Sequence, residues 1–270
     1  LFISPLSASL CLSMIANGAS GNTLSEMTDV LGFSGYSLEE MNNYNKKLVE
    51  ALLDLDNTTQ LGIANSIWIK KGFGVHDDFV SVNKKMYDAQ VQELDFASPK
   101  APDIINGWCA GKTNNCIPKV LNEIPETARL YLLNALYFKG IWKNQFKKSD
   151  TAEEAFTNAD GSKSTVHMMN LRDERFNYAE NEYFSMAELP YGNEAFSMVV
   201  LLPAEGKSLD ECLPQLNDER WGEWNSSLSS SALNLKLPRF EMEYDKELID
   251  DMMAMGMQEA FTPSADFSGM

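Results

Sequence analysis

The sequence has few of the residues with which most enzymes and metal proteins do chemistry. Among its 270 residues are two histidines, His76 and His167, and neither has a second histidine or a carboxylate at a recognisable metal-ligand spacing. A Gly-x-Ser-x-Gly elbow, which would present a nucleophilic serine, is also absent. Four scattered cysteines are too few for a disulfide framework or a zinc site. We therefore expect a protein that is not an enzyme, uses no metal or cofactor, and keeps free, mostly buried thiols.

Positive charge and long apolar runs are scarce as well. The chain has 22 Lys and Arg residues against 39 Asp and Glu residues, which gives a formal net charge of −17. So acidic a protein repels nucleic acid and anionic membranes. No stretch reaches the roughly 18 apolar residues that cross a bilayer, and no targeting signal is visible. The sequence predicts a monomeric globular protein that binds neither nucleic acid nor membrane.

Two segments match ligand-binding loops only superficially. Residues 107–113 are one residue short of a phosphate-binding P-loop and lie within a helical pattern instead of after a strand. The segment from Asp54 resembles the start of a calcium loop, but Thr59 stands where glycine is needed and Asn65 where glutamate is needed. We interpret both segments as ordinary helix and loop.

Hydrophobic periodicity places helices early in the chain and strands late. Ser4 and Pro5 are typical of a helix N-cap and first turn, while Thr23 and Ser37, each followed by glutamate three residues later, predict capping boxes. Further helices are predicted at residues 77–86, 104–116, 209–216 and 246–255, and strands at 61–69, 90–96, 130–138, 196–202, 233–237 and 240–244. Without repeats or a low-complexity linker, this order favours one mixed α+β domain over residues 1–270.

Asn134 is the polar residue that this pattern does not explain. Residues 130–138 are almost continuously apolar and predict a central strand covered on both faces. A buried amide without partners costs about 1–3 kcal/mol, so the fold must supply hydrogen-bonding groups at Asn134. Ser4 and Ser7 also stand at positions predicted to be buried. Capping accounts for Ser4, but nothing local accounts for Asn134.

Several segments resemble, in order along the chain, the serpins, the serine-protease-inhibitor family. They are Ile3-Ser4-Pro5-Leu6-Ser7, Ile105-Asn106-x-Trp108, the Asn-Ala-x-Tyr-Phe-Lys-Gly-x-Trp run from Asn134 to Trp142, residues 189–203, Leu237-Pro238-Arg239-Phe240, and residues 261–269. The resemblance implies the serpin fold, a large mixed central β-sheet with second and third sheets and surrounding helices. It also implies that the chain is incomplete at both ends, lacking the family's first helix and the C-terminal reactive-loop region with its scissile bond.

In that family a protease cleaves an exposed loop, which inserts into the central sheet and carries the protease along as a trapped acyl-enzyme. The resemblance thus implies an extracellular or periplasmic inhibitor of a serine or cysteine protease. It places Ser4, Ser7 and Asn134 in the shutter, a buried polar network beneath the strands that separate. Trp142 and Arg239 would belong to the breach, where the loop first enters. The alternative is a non-inhibitory serpin that acts as a binding, carrier or chaperone module.

Overall fold

The structure is a computed structural model that describes residues 2–158 and 160–270. The described chain forms two compact units. The first unit contains residues 2–55, Gln60–Lys139 and Tyr244–Met270, and the second contains Asp56–Thr59 and Gly140–Glu243. Each unit has its own hydrophobic core and its own sheet.

The helices and strands are numbered in chain order. The helices are α1 Pro5–Ala16, α2 Gly21–Val30, α3 Leu38–Asp54, α4 Asp77–Tyr87, α5 Ala101–Lys112, α6 Leu209–Cys212, α7 Asp218–Ser227 and α8 Ile249–Met255. The strands are β1 Gln60–Lys70, β2 Gln90–Leu94, β3 Leu130–Lys139, β4 Ala152–Thr157, β5 Lys163–Glu180, β6 Phe184–Pro190, β7 Ser197–Pro203 and β8 Ser229–Pro238.

The first unit contains a mixed sheet in the order β2-β1-β3. Strand β1 is parallel to β2 and antiparallel to β3, in a register that sets Asn65 directly opposite Asn134. Among the described strands β3 therefore lies at an edge. The prediction that β3 is covered on both faces is confirmed for its first half, because Leu130 and Leu132 pack against one hydrophobic cluster and Tyr131 and Leu133 pack against another. The cover is partial, since only Ala135 is fully buried and Leu130–Asn134 are half-buried.

The second unit contains one five-stranded antiparallel sheet in the order β4-β5-β6-β7, with β8 also paired to β5. The long strand β5 pairs first with β4, then with β8 and finally with β6. The second and third sheets that the sequence led us to expect are therefore joined through β5. A bulge between Leu171 and Glu174, with Asp173 at φ 54°, bends β5 where its partners change.

Two of the three predicted helix starts are confirmed. The Ser4 side chain accepts a hydrogen bond from the Ser7 N–H at 3.2 Å, and Ser37 forms a complete capping box with Glu40. The capping box predicted at Thr23 is wrong, because α2 already begins at Gly21. The Thr23 hydroxyl instead donates to Glu259 at 2.8 Å and accepts from the Asp266 N–H at 2.9 Å. Thr23 is buried, and both of its hydrogen-bond partners come from the far end of the chain instead of from its own helix.

Three other predictions need correction. The strand predicted at residues 240–244 is absent from the described structure, where residues 239–248 have no regular structure and Phe240 and Met242 are exposed. An alternating pattern forms a strand only beside a partner that takes up its backbone hydrogen bonds. The last helix begins at Ile249, not at residue 246, and α5 ends at Lys112 because Asn114 and Asn115 take positive φ angles. Helix α7 was not predicted.

The tryptophans are divided between the two units. In the first unit Trp68 and Trp108 pack edge to face with ring centroids 6.4 Å apart. In the second unit Trp142 and Trp224 pack on other aromatic rings, while Trp221 is exposed. Four of the five tryptophans therefore pack against a hydrophobic core. The four cysteines are free, as expected, with Cys109 and Cys212 buried, Cys11 partly buried and Cys116 exposed.

Candidate functional site

Ser7 and Asn134 are in direct contact in the first unit. Pro5 begins α1, and the Ser4 cap fixes the helix so that the Ser7 side chain lies one turn further on, facing β3. The Ser7 hydroxyl donates a hydrogen bond to Asn134 Oδ1. The three residues predicted to form the shutter are thus close together, with Ser4 acting through the Ser7 backbone.

The second half of the Asn134 amide is satisfied across the strand pair. Its Nδ2 donates to Asn65 Oδ1 at 2.8 Å, and Asn65 Nδ2 in turn donates to the carbonyl of Tyr87 at 2.7 Å. The antiparallel register places Asn65 at this position. Asn65 was missed as a site residue, although a polar residue inside the apolar strand at residues 61–69 was a signal of the same kind as Asn134.

The hydrogen bonds continue into the helices. The Tyr87 hydroxyl donates to Asn42 Oδ1 at 2.6 Å and accepts from Asn45 Nδ2 at 3.3 Å. Asn42 Nδ2 donates to Asn17 Oδ1 at 2.7 Å, and Asn17 Nδ2 donates to Asn83 Oδ1 at 3.5 Å. Asn83 Nδ2 in turn donates to the carbonyls of Phe79 and Met14 at 3.0 and 3.3 Å. We call the linked residues the amide cluster: Ser7, Asn17, Asn42, Asn45, Asn65, Asn83, Tyr87 and Asn134. Periodicity alone did not reveal its helical members.

The Tyr87 hydroxyl in the amide cluster and the Cys11 thiol beside it are both neutral at physiological pH. Burial raises the pKa of Tyr87 to about 12, although hydrogen bonds from neighbouring side chains oppose the shift. Burial likewise raises the pKa of the Cys11 thiol to about 11. The Cys11 Sγ lies 3.6 Å from the Leu132 carbonyl on β3. The cluster can therefore exchange hydrogen-bond partners without leaving a charge buried.

The two predicted breach residues, Trp142 and Arg239, lie in the second unit. The Trp142 ring stacks on Tyr191 with centroids 4.3 Å apart and planes 16° apart. Gly140 permits this approach, since a Cβ there would lie 2.5 Å from Tyr191 Cδ1. Arg239 is exposed, and its backbone N–H donates to the His167 carbonyl at 2.9 Å. Trp142 is thus held by packing, whereas the Arg239 guanidinium faces solvent.

Within residues 2–158 and 160–270, no group of three or more His, Cys, Asp and Glu side chains is placed to hold a metal ion. None of the helices in that part of the chain has the length and apolar character needed to span a bilayer.

Comparison with known proteins identifies the family. The family model described as Serpin (serine protease inhibitor) matches residues 1–270. Human serpin B4 is 33% identical over 294 aligned residues, which cover 100% of this chain and 75% of serpin B4. The human leukocyte elastase inhibitor is 33% identical, with 100% of this chain and 74% of the inhibitor covered.

A solved structure agrees with these relatives. Tengpin, a thermophilic serpin crystallised in its native state, superposes with a TM-score of 0.88 at 33% identity, covering 99% of this chain and 68% of tengpin. By the match of the whole sequence and by its fold, this chain belongs to the serpin family.

Proposed function

We propose that this serpin inhibits a serine protease, or a related cysteine protease, as a suicide substrate. The observation that carries the proposal is the Asn134 amide on β3, which two neutral side chains hold from either side, Ser7 on α1 and Asn65 on β1. A sheet that opens beside β3 can form new pairs with such groups without burying a charge, which is what insertion of a loop as a new strand requires. The match to the leukocyte elastase inhibitor supports the same activity.

In this mechanism the serpin supplies no nucleophile of its own. The protease serine attacks the scissile carbonyl of an exposed loop, the peptide bond breaks, and the new amino terminus leaves. The ester between protease and loop is then carried away as the loop inserts beside β3. Inhibition succeeds when insertion distorts the protease before water hydrolyses the ester. The serpin's contribution is therefore the speed with which its sheet accepts a strand.

The shutter residues would control that speed. Ser7 and Asn65 each hold one side of the Asn134 amide, so they tie α1, β1 and β3 together. Strand separation must break or rearrange these bonds, and a neutral network can form new pairs as it moves.

Trp142 and Arg239 would act at the breach. The rigid stack of Trp142 would position the entry point, and the exposed Arg239 would meet the incoming loop. An extracellular or periplasmic location is part of the same proposal.

The test uses the complete serpin and a panel of trypsin-, chymotrypsin- and elastase-like proteases. We expect one protease to give a band at the summed mass that resists boiling in SDS. The same protease with its nucleophilic serine replaced by alanine should give no such band, because no ester can form. Cleavage of the loop without a stable complex by every protease tested would contradict the proposal and favour a non-inhibitory binding or carrier serpin.

A further inference from the structure

We propose that the amide cluster closes into a ring of hydrogen bonds that couples helices α3 and α4 to the opening of the strand pair β1–β3. This inference goes beyond protease inhibition, because it concerns how one face of the first unit communicates with another. It rests on the order in which the cluster residues contact each other.

The hydrogen bonds lead from α1 around the unit and back to α1. Ser7 on α1 binds Asn134 on β3, Asn134 binds Asn65 on β1, and Asn65 binds the carbonyl of Tyr87 at the end of α4. The Tyr87 hydroxyl then binds Asn42 on α3, and Asn42 binds Asn17 at the C-cap of α1. Since α1 joins Asn17 to Ser7 through its own backbone, the ring is closed.

Tyr87 is the residue at which strands and helices meet. Its carbonyl accepts from Asn65 on the strand side, while its hydroxyl donates to Asn42 on the helix side. A displacement of β1 relative to α4 must therefore stretch the bond from Asn65 or move Tyr87 and its hydroxyl with it. In either case the change reaches α3.

Burial makes this coupling strong. Asn65 and Tyr87 are only 5% and 6% exposed, so water does not replace a partner that moves away from either of them. Breaking one bond leaves a buried donor or acceptor unsatisfied, which costs about 1–3 kcal/mol. A buried network in which only some groups have partners is unfavourable. The ring is therefore stable either when all of its bonds are made or when it has rearranged so that its groups have new partners.

The helix side of the ring has room to rearrange. Asn17 and Asn42 line a cleft of about 620 Å³ between α3 and α4, together with Leu38, Phe79 and Met86. Side chains beside open space can adopt new positions without displacing a packed core. The ring thus has a tightly packed end at the strands and a looser end at the α3–α4 surface.

A double-mutant cycle on the complete serpin tests the coupling. Tyr87→Phe removes only the hydroxyl, which binds Asn42 and Asn45, and Ser7→Ala removes only the hydroxyl that binds Asn134. Hydrogen exchange of the β1 and β3 amides is measured by mass spectrometry in the parent, both single variants and the double variant.

We expect Tyr87→Phe to speed exchange in β1 and β3 by about threefold or more. We also expect the double variant to depart by about threefold or more from the product of the single effects, as coupled sites do.

Tyr44→Phe is the matched control, because Tyr44 lies on α3 and is 57% exposed. It should leave exchange in β1 and β3 unchanged. If Tyr87→Phe speeds exchange only in α3 and α4, or if the two single effects simply multiply, the coupling does not exist. Asn134→Ala replaces Ser7→Ala in the cycle should the latter fail to fold. No protease enters this experiment, so its outcome is independent of whether the serpin forms a covalent complex.

Discussion

At the scale of single residues, Asn134 determines how polar groups on three elements are satisfied. Its two amide atoms bind Ser7 on α1 and Asn65 on β1. An apolar side chain of similar size at this position would fill the space but leave both partners with unmade hydrogen bonds. The residue therefore matters less for its own burial than for the groups that depend on it.

Asn134→Leu should destabilise the native state and lower the barrier to strand separation. Two unsatisfied groups in a partly buried site suggest a loss of about 2 kcal/mol in the free energy of unfolding. We expect latent or polymeric forms after mild heating, measured by urea unfolding and by native gel electrophoresis. Asn43→Leu, on the exposed face of α3, is the control. Unchanged unfolding kinetics and no polymer would show that Asn134 has no such role.

Arg239→Ala should change inhibition without changing stability. Substitution of an exposed side chain usually alters the free energy of unfolding by less than about 0.5 kcal/mol. If the guanidinium guides the incoming loop, insertion slows and more serpin is cleaved per protease trapped, which raises the stoichiometry of inhibition. Arg172→Ala, also exposed in the second unit, is the control. Equal stoichiometries of inhibition for the parent and Arg239→Ala would show that Arg239 plays no part in loop entry.

Part of the site could be predicted from the sequence, because a polar residue inside an apolar strand can be recognised from its immediate neighbours in the chain. Asn134 was found in this way, and Asn65 could have been found by the same rule. Asn42 and Tyr87 could not, because an asparagine in a helix or a tyrosine at its end is ordinary in sequence. Their importance comes from tertiary packing that brings together residues 45 positions apart.

At the scale of elements, the turn Asp56–Thr59 shows how a short segment fixes the pKa of one carboxyl group. Asp56 Oδ1 accepts from the Thr58 N–H and hydroxyl at 2.7 and 2.6 Å, and Oδ2 accepts from the Thr59 hydroxyl at 2.6 Å. Burial raises the pKa of Asp56, but these hydrogen bonds, with a further one from the Asn193 N–H, outweigh it and lower the pKa to about 2.

Asp56→Asn should therefore destabilise the protein at neutral pH and matter less in acid. A carboxyl group whose pKa is lowered on folding stabilises the native state above its unfolded pKa, about 3.9, and loses that contribution as the pH falls through the folded value. Urea unfolding should show a constant difference between parent and variant from about pH 5 to 8, shrinking between about pH 4 and 2. Asp54→Asn at the exposed end of α3 is the control. A difference that does not change with pH would refute the assignment.

Elements with local signals were predicted and those with distant partners were not. Ser37 caps α3 with a glutamate three residues away, so its pattern was sufficient. Thr23 had the same pattern, yet Glu259 and Asp266 bind its hydroxyl from the other end of the chain. Residues 240–244 alternate as a strand does, but strand formation requires a neighbour that a single segment cannot specify. The fold class followed from order and resemblance, and the exact partners did not.

At the scale of the whole molecule, the net charge of −17 should govern the encounter with a protease. With a basic protease, the association rate constant should fall about tenfold as the salt concentration rises from about 10 to 200 mM, because ions screen the attraction. Stopped-flow or progress-curve kinetics measure it. An acidic protease of the same cleavage specificity should show the opposite trend. A rate independent of salt for both would mean that charge plays no part in the encounter.

The division of the tryptophans between the units gives the molecule two separable fluorescent reporters. Trp68 and Trp108 lie in the first unit and Trp142, Trp221 and Trp224 in the second. Replacing either group with phenylalanine would leave emission from one unit alone. During unfolding or loop insertion, each half of the protein would then report its own time course, and the order of events could be followed without attaching a dye.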